Sequence, residues 1–240
     1  MTSRDLAALF AGLDTLCEKA ARGADADGAA LALVTRRAHT RELAYASDDL
    51  AAQVDELQFT LGEGPCTHAY LYDEPQFHPS LDDVQHTSQW PTFATEITQL
   101  GVHSLFAFPV PGALRPTGVL ELYRHSPSSL TSTQQAAARG CAVAIGQRLR
   151  TNWDEHLARS SSTEDAIYTA ATATHDGIDG PFARTQIHVA AGMLAIQLKA
   201  PPDEALDRLR AYSYACGRRI SSVAADLIAH RLSLGDRSGR

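Results

Sequence analysis

Residues 184–232 constrain the fold most, because apolar side chains recur there at helical spacing three times in succession. Ile187, Ala190/Ala191, Leu194 and Leu198 follow one another at offsets of three or four, one stripe of an amphipathic helix. Pro201 and Pro202 break the chain, and Asp203 and Glu204 suit the positive end of a second helix. Its stripe is Leu206, Leu209, Tyr212 or Ser213, and Cys216, and Gly217 is placed to close it in a left-handed conformation. Ser221 is the expected cap of a third helix with Val223, Leu227 and Leu232 on its inner face. Helices this short cannot stand alone in water, so the stretch predicts a three-helix unit around one small core.

A chain of 240 residues is comfortable as two domains, and its 44% apolar and 20% charged content is that of a globular protein. No apolar run approaches the roughly 20 residues of a membrane helix. The run Leu6–Leu13 is short and flanked by Asp5, Asp14 and Glu18, unlike a signal peptide. The expectation is a cytoplasmic protein without a membrane partner. Cys17, Cys66, Cys141 and Cys216 form no CxxC pair and read as small buried hydrophobes. The net charge of −7 argues against nucleic acid, but it is unevenly spread. Residues 184–240 hold nine Lys/Arg against five Asp/Glu, while residues 1–183 hold twelve against twenty-three. A cationic tail on an acidic domain is the pattern of a polyanion-binding module under regulation.

Residues 3–22 read as a helix with Leu6, Leu9/Phe10, Leu13 and Leu16/Cys17 on one side, followed by a Gly/Asp loop over 23–28. Ala29–Val34 and Leu43–Ala46 read as short strands, and Asp48–Gln58 as a helical or irregular crossover. The run Phe59-Thr60-Leu61-Gly62-Glu63-Gly64-Pro65-Cys66-Thr67 turns tightly on two glycines and starts a helix at Pro65. Gln76–Pro79 fits an edge strand, and Trp90-Pro91 starts a helix ended by Gly101. Ser104–Val110 and Gly118–Tyr123 are the strongest strands, and Thr131–Leu157 is a long helix with Cys141, Ile145, Leu149, Trp153 and Leu157 four apart. Five or six antiparallel strands between helical ends make an α+β fold. Residues 158–183 read as a linker, with Glu164–Thr174 able to form a further helix.

Nothing in this order frames catalysis. The ten histidines show no HxxxH or HExxH spacing, and no carboxylate pair is set up as acid and base. Gly62-Glu63-Gly64 lacks the Lys-Ser/Thr of a phosphate loop, and Glu63 is expected to bond its own loop. Cys66 follows a proline at a helix N-terminus, a position able to lower a thiol pKa. The expectation is a protein that is not an enzyme, with no cofactor and no metal.

Two resemblances sharpen this reading. The residues Ile187, Ala190-Ala191-Gly192-Met193-Leu194, Gln197-Leu198, Glu204-Ala205-Leu206, Leu209-Arg210-Ala211-Tyr212 and Val223-Ala224 resemble an ANTAR domain, the three-helix RNA-binding module of bacterial antiterminators. Pro201 departs from the family's usual Ser or Thr cap. The sequences LGEGPC, WPTF, GVHSLFAFPV and GVLELY, over roughly residues 25–150, resemble a GAF domain of the kind fused to ANTAR modules, with Gln89 where relatives often carry Arg. With the periodicity they divide the chain into an N-terminal helix (1–22) that packs on its own domain or pairs with a second subunit, a GAF domain (23–157), a linker (158–183) and an ANTAR domain (184–240). The fold implied is a GAF-like antiparallel sheet flanked by helices, then a three-helix bundle.

RNA loops are bound by stacking splayed bases on flat or small surfaces while cations hold phosphates. Ala190, Ala191 and Gly192 are expected to offer a bare strip, flanked by Arg184, Lys199, Arg210, Tyr212, Arg218 and Arg219. Gly192 in mid-helix costs about 1 kcal/mol relative to Ala and wants a reason, either close helix packing or close approach of a base. The ANTAR resemblance implies binding to RNA with paired stem-loops, which prevents a terminator hairpin; a homodimer is expected because two small modules held together raise avidity. The input at the GAF domain is left open between an unknown small molecule, a protein and none, and the pocket candidates Leu33, Phe106 and Leu120 serve equally well as core. A helix-turn-helix DNA-binding regulator is the rival reading, weakened because Ser221–Leu232 offers few base-reading side chains. Some GAF-fold proteins reduce methionine sulfoxide with cysteines, so Cys66 raises a thiol reductase as a third.

Overall fold

A computed structural model describes residues 8–35, 40–83, 88–164 and 184–234. Helix α1 (Leu13–Ala24) follows Gly12 and buries Leu13, Cys17, Ala20 and Ala24. Of the helix expected over 3–22, the first residues lie outside those described. Strands β1 (Gly28–Thr35) and β2 (Thr40–Ala46) pair antiparallel with a bulge at Leu31/Ala32. β2 starts three residues earlier than its apolar pattern suggests, because Thr40–Glu42 pair in register with Leu33–Thr35. Helix α2 (Asp49–Leu61) occupies the crossover, capped by Asp48, which accepts the Ala51 N–H at 2.8 Å. It runs three residues past Gln58 and stops at Gly62, held at φ 72°.

Helix α3 (Pro65–Tyr72), strand β3 (Gln76–His78), helix α4 (Pro91–Gln99) and strands β4 (Ser104–Val110) and β5 (Gly118–Arg124) follow. Helix α5 (Ser132–Arg159) opens on a capping box between Thr131 and Gln134. The sheet has five strands in the order β2-β1-β5-β4-β3, every pair antiparallel. Because side chains alternate across a strand, its two faces differ in chemistry. One packs Leu31, Phe106, Phe108, Leu120 and Leu122 against α1 and α5. The other turns Ala30, Ala32, Leu105, Ala107, Val119 and Tyr123 toward α2, α3 and α4.

Three helices follow: α6 (Thr185–Leu198), α7 (Pro202–Ala215) and α8 (Ile220–Ile228). They enclose Ile187, Ala190, Leu194, Leu206, Leu209, Val223 and Leu227, close to the expected stripes. Three details are corrected. Cys216 is exposed, and Ser213 is the buried member of its turn, its hydroxyl donating to the Arg218 carbonyl. The third helix starts at Ile220 after an Arg219 N-cap, so Ser221 lies inside the first turn; burial of Ile220 in the core draws the start back. Leu232 lies beyond α8 and reaches the core from the following chain. Most of the further helix expected over Glu164–Thr174 lies outside the described residues.

Candidate functional site

The most highly charged buried cluster among the described residues joins α2 to the three-helix unit. Consecutive turns of α2 bring Asp55, Gln58 and Phe59 inward. Asp55 is gripped from two sides. From β2, Arg41 donates through Nε to Asp55 Oδ1 at 3.0 Å and through Nη2 to the Asp55 carbonyl at 2.8 Å. From the head of α6, Arg184 Nη2 donates to Asp55 Oδ2 at 2.6 Å and to Glu56 Oε2 at 3.1 Å. Arg184 Nη1 donates to the Arg41 carbonyl at 3.2 Å, and its backbone N–H to Glu42 Oε2 at 3.3 Å. Arg184 is 4% exposed, so its charge is carried entirely by these partners.

Phe59 belongs to the same junction. Though it lies on α2, its side chain is buried with Ile187, Ala190 and Leu209 of the three-helix core. The Arg184 guanidinium lies 4.0 Å from its ring centroid, and the Arg210 guanidinium 5.2 Å. Arg210 Nε donates to the Phe59 carbonyl at 2.9 Å and Nη1 to Asp207 at 3.0 Å. His188 meets the ring edge-on at 6.2 Å. Gly62 is favoured here by its positive φ, and a Cβ would stand 3.2 Å from Arg210 Nη1, a tight contact that the guanidinium would have to give way to. Farther out, Tyr214 donates its hydroxyl to Glu96 at 3.0 Å across an interdomain groove of about 1360 Å³. That groove sets Glu42, Asp49 and Glu56 opposite Arg218 and Arg219.

The electrostatics follow from burial and pairing. Burial raises the Asp55 carboxyl, but Arg184 and Arg41 more than offset it and hold its pKa below the usual range. Glu42 is pushed up to about 7 by burial, with Arg184 opposing. His188 is held down at about 4 by burial and by Arg210 and Arg184, so its imidazole is neutral, and its buried Nε2 has no hydrogen-bond partner. One turn along α2, Gln58 Nε2 donates to Glu121 Oε1 at 2.6 Å and Gln58 Oε1 accepts the Cys66 N–H at 2.9 Å. Glu121 is 3% exposed, its Oε2 has no hydrogen-bond partner, and burial pushes its pKa up to about 7 against Arg41 and Gln58.

The sequence-derived site residues divide sharply. Arg184 and Arg210 are brought together, but over Phe59 rather than toward solvent. Ala190 and Ala191 are 0% and 3% exposed, which corrects the expected bare strip: they are the small residues where α6 meets the core of the unit. Gly192 is half-buried, and a Cβ added there meets nothing within 4 Å, so close packing does not require it. Lys199 is exposed in the left-handed cap of α6, and Tyr212 is half-buried. Arg218 and Arg219 are exposed between α7 and α8, Arg218 pairing with Asp226 at 2.6 Å. Phe106 and Leu120 are fully buried, with Leu33 beside them, on the α1/α5 face; they are core. Glu63 accepts the Phe93 N–H of α4 at 3.3 Å rather than bonding its own loop.

Cys66 is also corrected. It stands at the N-terminus of α3, but burial drives its thiol pKa up, with Arg41 only partly opposing. Sequence reasoning missed Asp55, Glu56, Phe59 and His188. The available signal was a conflict within α2, whose inward side carries an acid among apolar residues. No group of His, Cys, Asp and Glu able to hold a metal occurs among the described residues.

An antiparallel sheet between helical layers, with a polar interior under α2, is an α+β sandwich. Residues 11–150 match the family described as GAF domain, more than half of the chain, and the protein belongs to that family. Among solved structures, the GAF domain region of a membrane protein from Geobacter sulfurreducens PCA is similar at 17% identity, covering 62% of this chain and 97% of that one with a TM-score of 0.50. A domain of a two-component sensor histidine kinase from Sinorhizobium meliloti 1021 shares 20% identity over 59% of this chain and 92% of its own, at TM-score 0.45. A type II free methionine-R-sulfoxide reductase from Thermoplasma acidophilum shares 11% over 60% and 93%, at 0.42. The likeness to the Geobacter sulfurreducens domain shows the fold. No curated protein matches the chain. No helix among the described residues is long and apolar enough to cross a membrane.

Proposed function

We propose that the chain is a transcription antitermination regulator, in which the GAF domain senses a signal and controls RNA binding by the ANTAR-like unit of residues 184–240. The observation that carries the proposal is the docking of two arginines of the three-helix unit, Arg184 and Arg210, on a single helix of the sensory domain. A signal that moves α2 therefore acts directly on the cations of the unit. The separate positive balance of residues 184–240 and their resemblance to ANTAR modules give those cations an anionic target. The DNA-binding rival gains little from α8, whose outward side offers only Ser222 as a polar contact beside Asp226, which repels phosphates and is already paired with Arg218 and Arg231.

The functional unit in this proposal is a homodimer, since two modules held together raise avidity through effective concentration. The outer side of α5 exposes Ala136, Gly140 and Val143 beside α1, small residues that let a second helix approach closely. A gel-shift titration of a two-hairpin RNA against duplex DNA of the same sequence, across salt, tests the reading. RNA is retained at salt concentrations that release the DNA; equal retention of both would remove the RNA assignment.

A further inference from the structure

We infer that Arg184, His188 and Arg210 form a subsite for one nucleobase and its flanking phosphates, and that the GAF helix α2 occupies this subsite by presenting Phe59 in place of the base and Asp55 and Glu56 in place of phosphates. Docking of the GAF domain and binding of RNA then exclude each other. The inference rests on the reading of residues 184–240 as an RNA-binding unit and names where on that unit a base is held.

The geometry is that of a bound base. Flat aromatic groups stack on guanidinium planes, and RNA-binding proteins use both Arg and His against unstacked bases. Here one aromatic ring lies 4.0 Å from Arg184 and 5.2 Å from Arg210, with the neutral His188 ring against its edge. The anionic partners are also in place. Arg184 makes 2.6 Å and 3.1 Å bonds to two carboxylates, as it would to phosphate oxygens on either side of a nucleotide. Both sets of groups come from two successive turns of one helix of the GAF domain, rather than from the three-helix unit itself.

One atom shows that the ring is an imperfect occupant. His188 Nε2 is buried in this junction with no hydrogen-bond partner. A phenyl ring has no donor or acceptor on its edge, whereas every nucleobase has both. A base in the place of Phe59 meets the same two guanidiniums and gives the imidazole nitrogen a partner.

The test uses the full chain and a pool of RNA hairpins with randomised loops, followed by fluorescence anisotropy. Phe59→Ala empties the subsite and raises RNA affinity by about tenfold or more, the scale of one stacked base. Adding Arg210→Ala abolishes that gain. In the unsubstituted protein, RNA binding increases hydrogen exchange across residues 55–62, because α2 is displaced. This arm does not depend on how well the variant folds. RNA binding with unchanged exchange in α2, or with affinity unaltered by Arg184→Ala and Arg210→Ala, overturns the subsite while leaving RNA binding intact. If no form binds RNA although Phe59→Ala frees α2, the RNA reading fails and the subsite falls with it.

Discussion

Two pairs of arginines on the three-helix unit have opposite environments. Arg184 and Arg210 lie against Phe59 and are bonded to groups of the GAF domain, while Arg218 and Arg219 stand exposed at the turn between α7 and α8. Arg184 gives up its hydration on docking and depends on partners that the GAF domain supplies, while Arg210 stays partly exposed and divides its bonds between Phe59 and Asp207 of its own unit. The second pair keeps its hydration, and the ion pair from Arg218 to Asp226 is local. The contrast teaches that cations of one small unit can meet opposite fates: one pair is packed against the GAF domain, and the other stays in water.

The comparison breaks most readily at Asp55. Replacing it with Ala leaves Arg41 and Arg184 buried without their shared carboxylate, and loss of one partner from such a network costs about 3–5 kcal/mol. Thermal melts of Asp55→Ala are expected to fall by many degrees; a melt within two degrees of the parent, on the order of the smallest effect resolved for a chain this size, would contradict the buried network.

The pH dependence comes next. Glu121 and Glu42 have pKa values near 7 in the folded protein, against 4.5 for an ordinary glutamate. The folded state therefore binds more protons between these values. Their contribution is fully present below the unfolded value and is lost as pH rises through about 7. Asp55, held low, acts in the opposite direction but only in acid, below the usual aspartate pKa. The facing charges are Arg41, Arg184, Asp55 and Glu56. Urea melts should thus weaken from mildly acid to mildly basic pH, and Glu121→Gln should flatten that slope. An identical slope in the variant would show that Glu121 is not the titrating group.

Gly192→Ala is a smaller effect with an informative sign. With no atom within 4 Å of the new Cβ, it should stabilise the fold by about 0.5–1 kcal/mol through helix propensity. If RNA affinity falls while stability rises, the glycine is there for the ligand; if both rise, it is not. Arg218→Ala should be the gentlest, leaving the melt unchanged while lowering RNA affinity and reducing the salt slope by about 1. An unchanged salt slope would exclude Arg218 from phosphate contact.

Much of this fold was legible in advance. Pro202, Gly217 and the stripe from Ile187 to Leu198 placed the C-terminal helices to within a few residues, and the β4 and β5 strands were found almost to their ends. Helix α2 was half seen, because Asp55 and Gln58 interrupt its apolar side for reasons supplied by distant residues. The candidate site was legible in its arginines but not in their direction. Ala190 and Ala191 fit a small-residue strip and a helix contact equally well, and only packing distinguishes the two.

Local chemistry settled where helices and strands begin and end, since caps, prolines, glycines and periodicity act within a few residues of chain. It also settled that acidic and basic segments would coexist in one protein. The meeting of Arg184 with Asp55, separated by 129 positions, belongs to the tertiary structure alone. Burial decides that pairing, because a guanidinium leaves water only where the folded chain brings it a carboxylate, and no local pattern encodes which one.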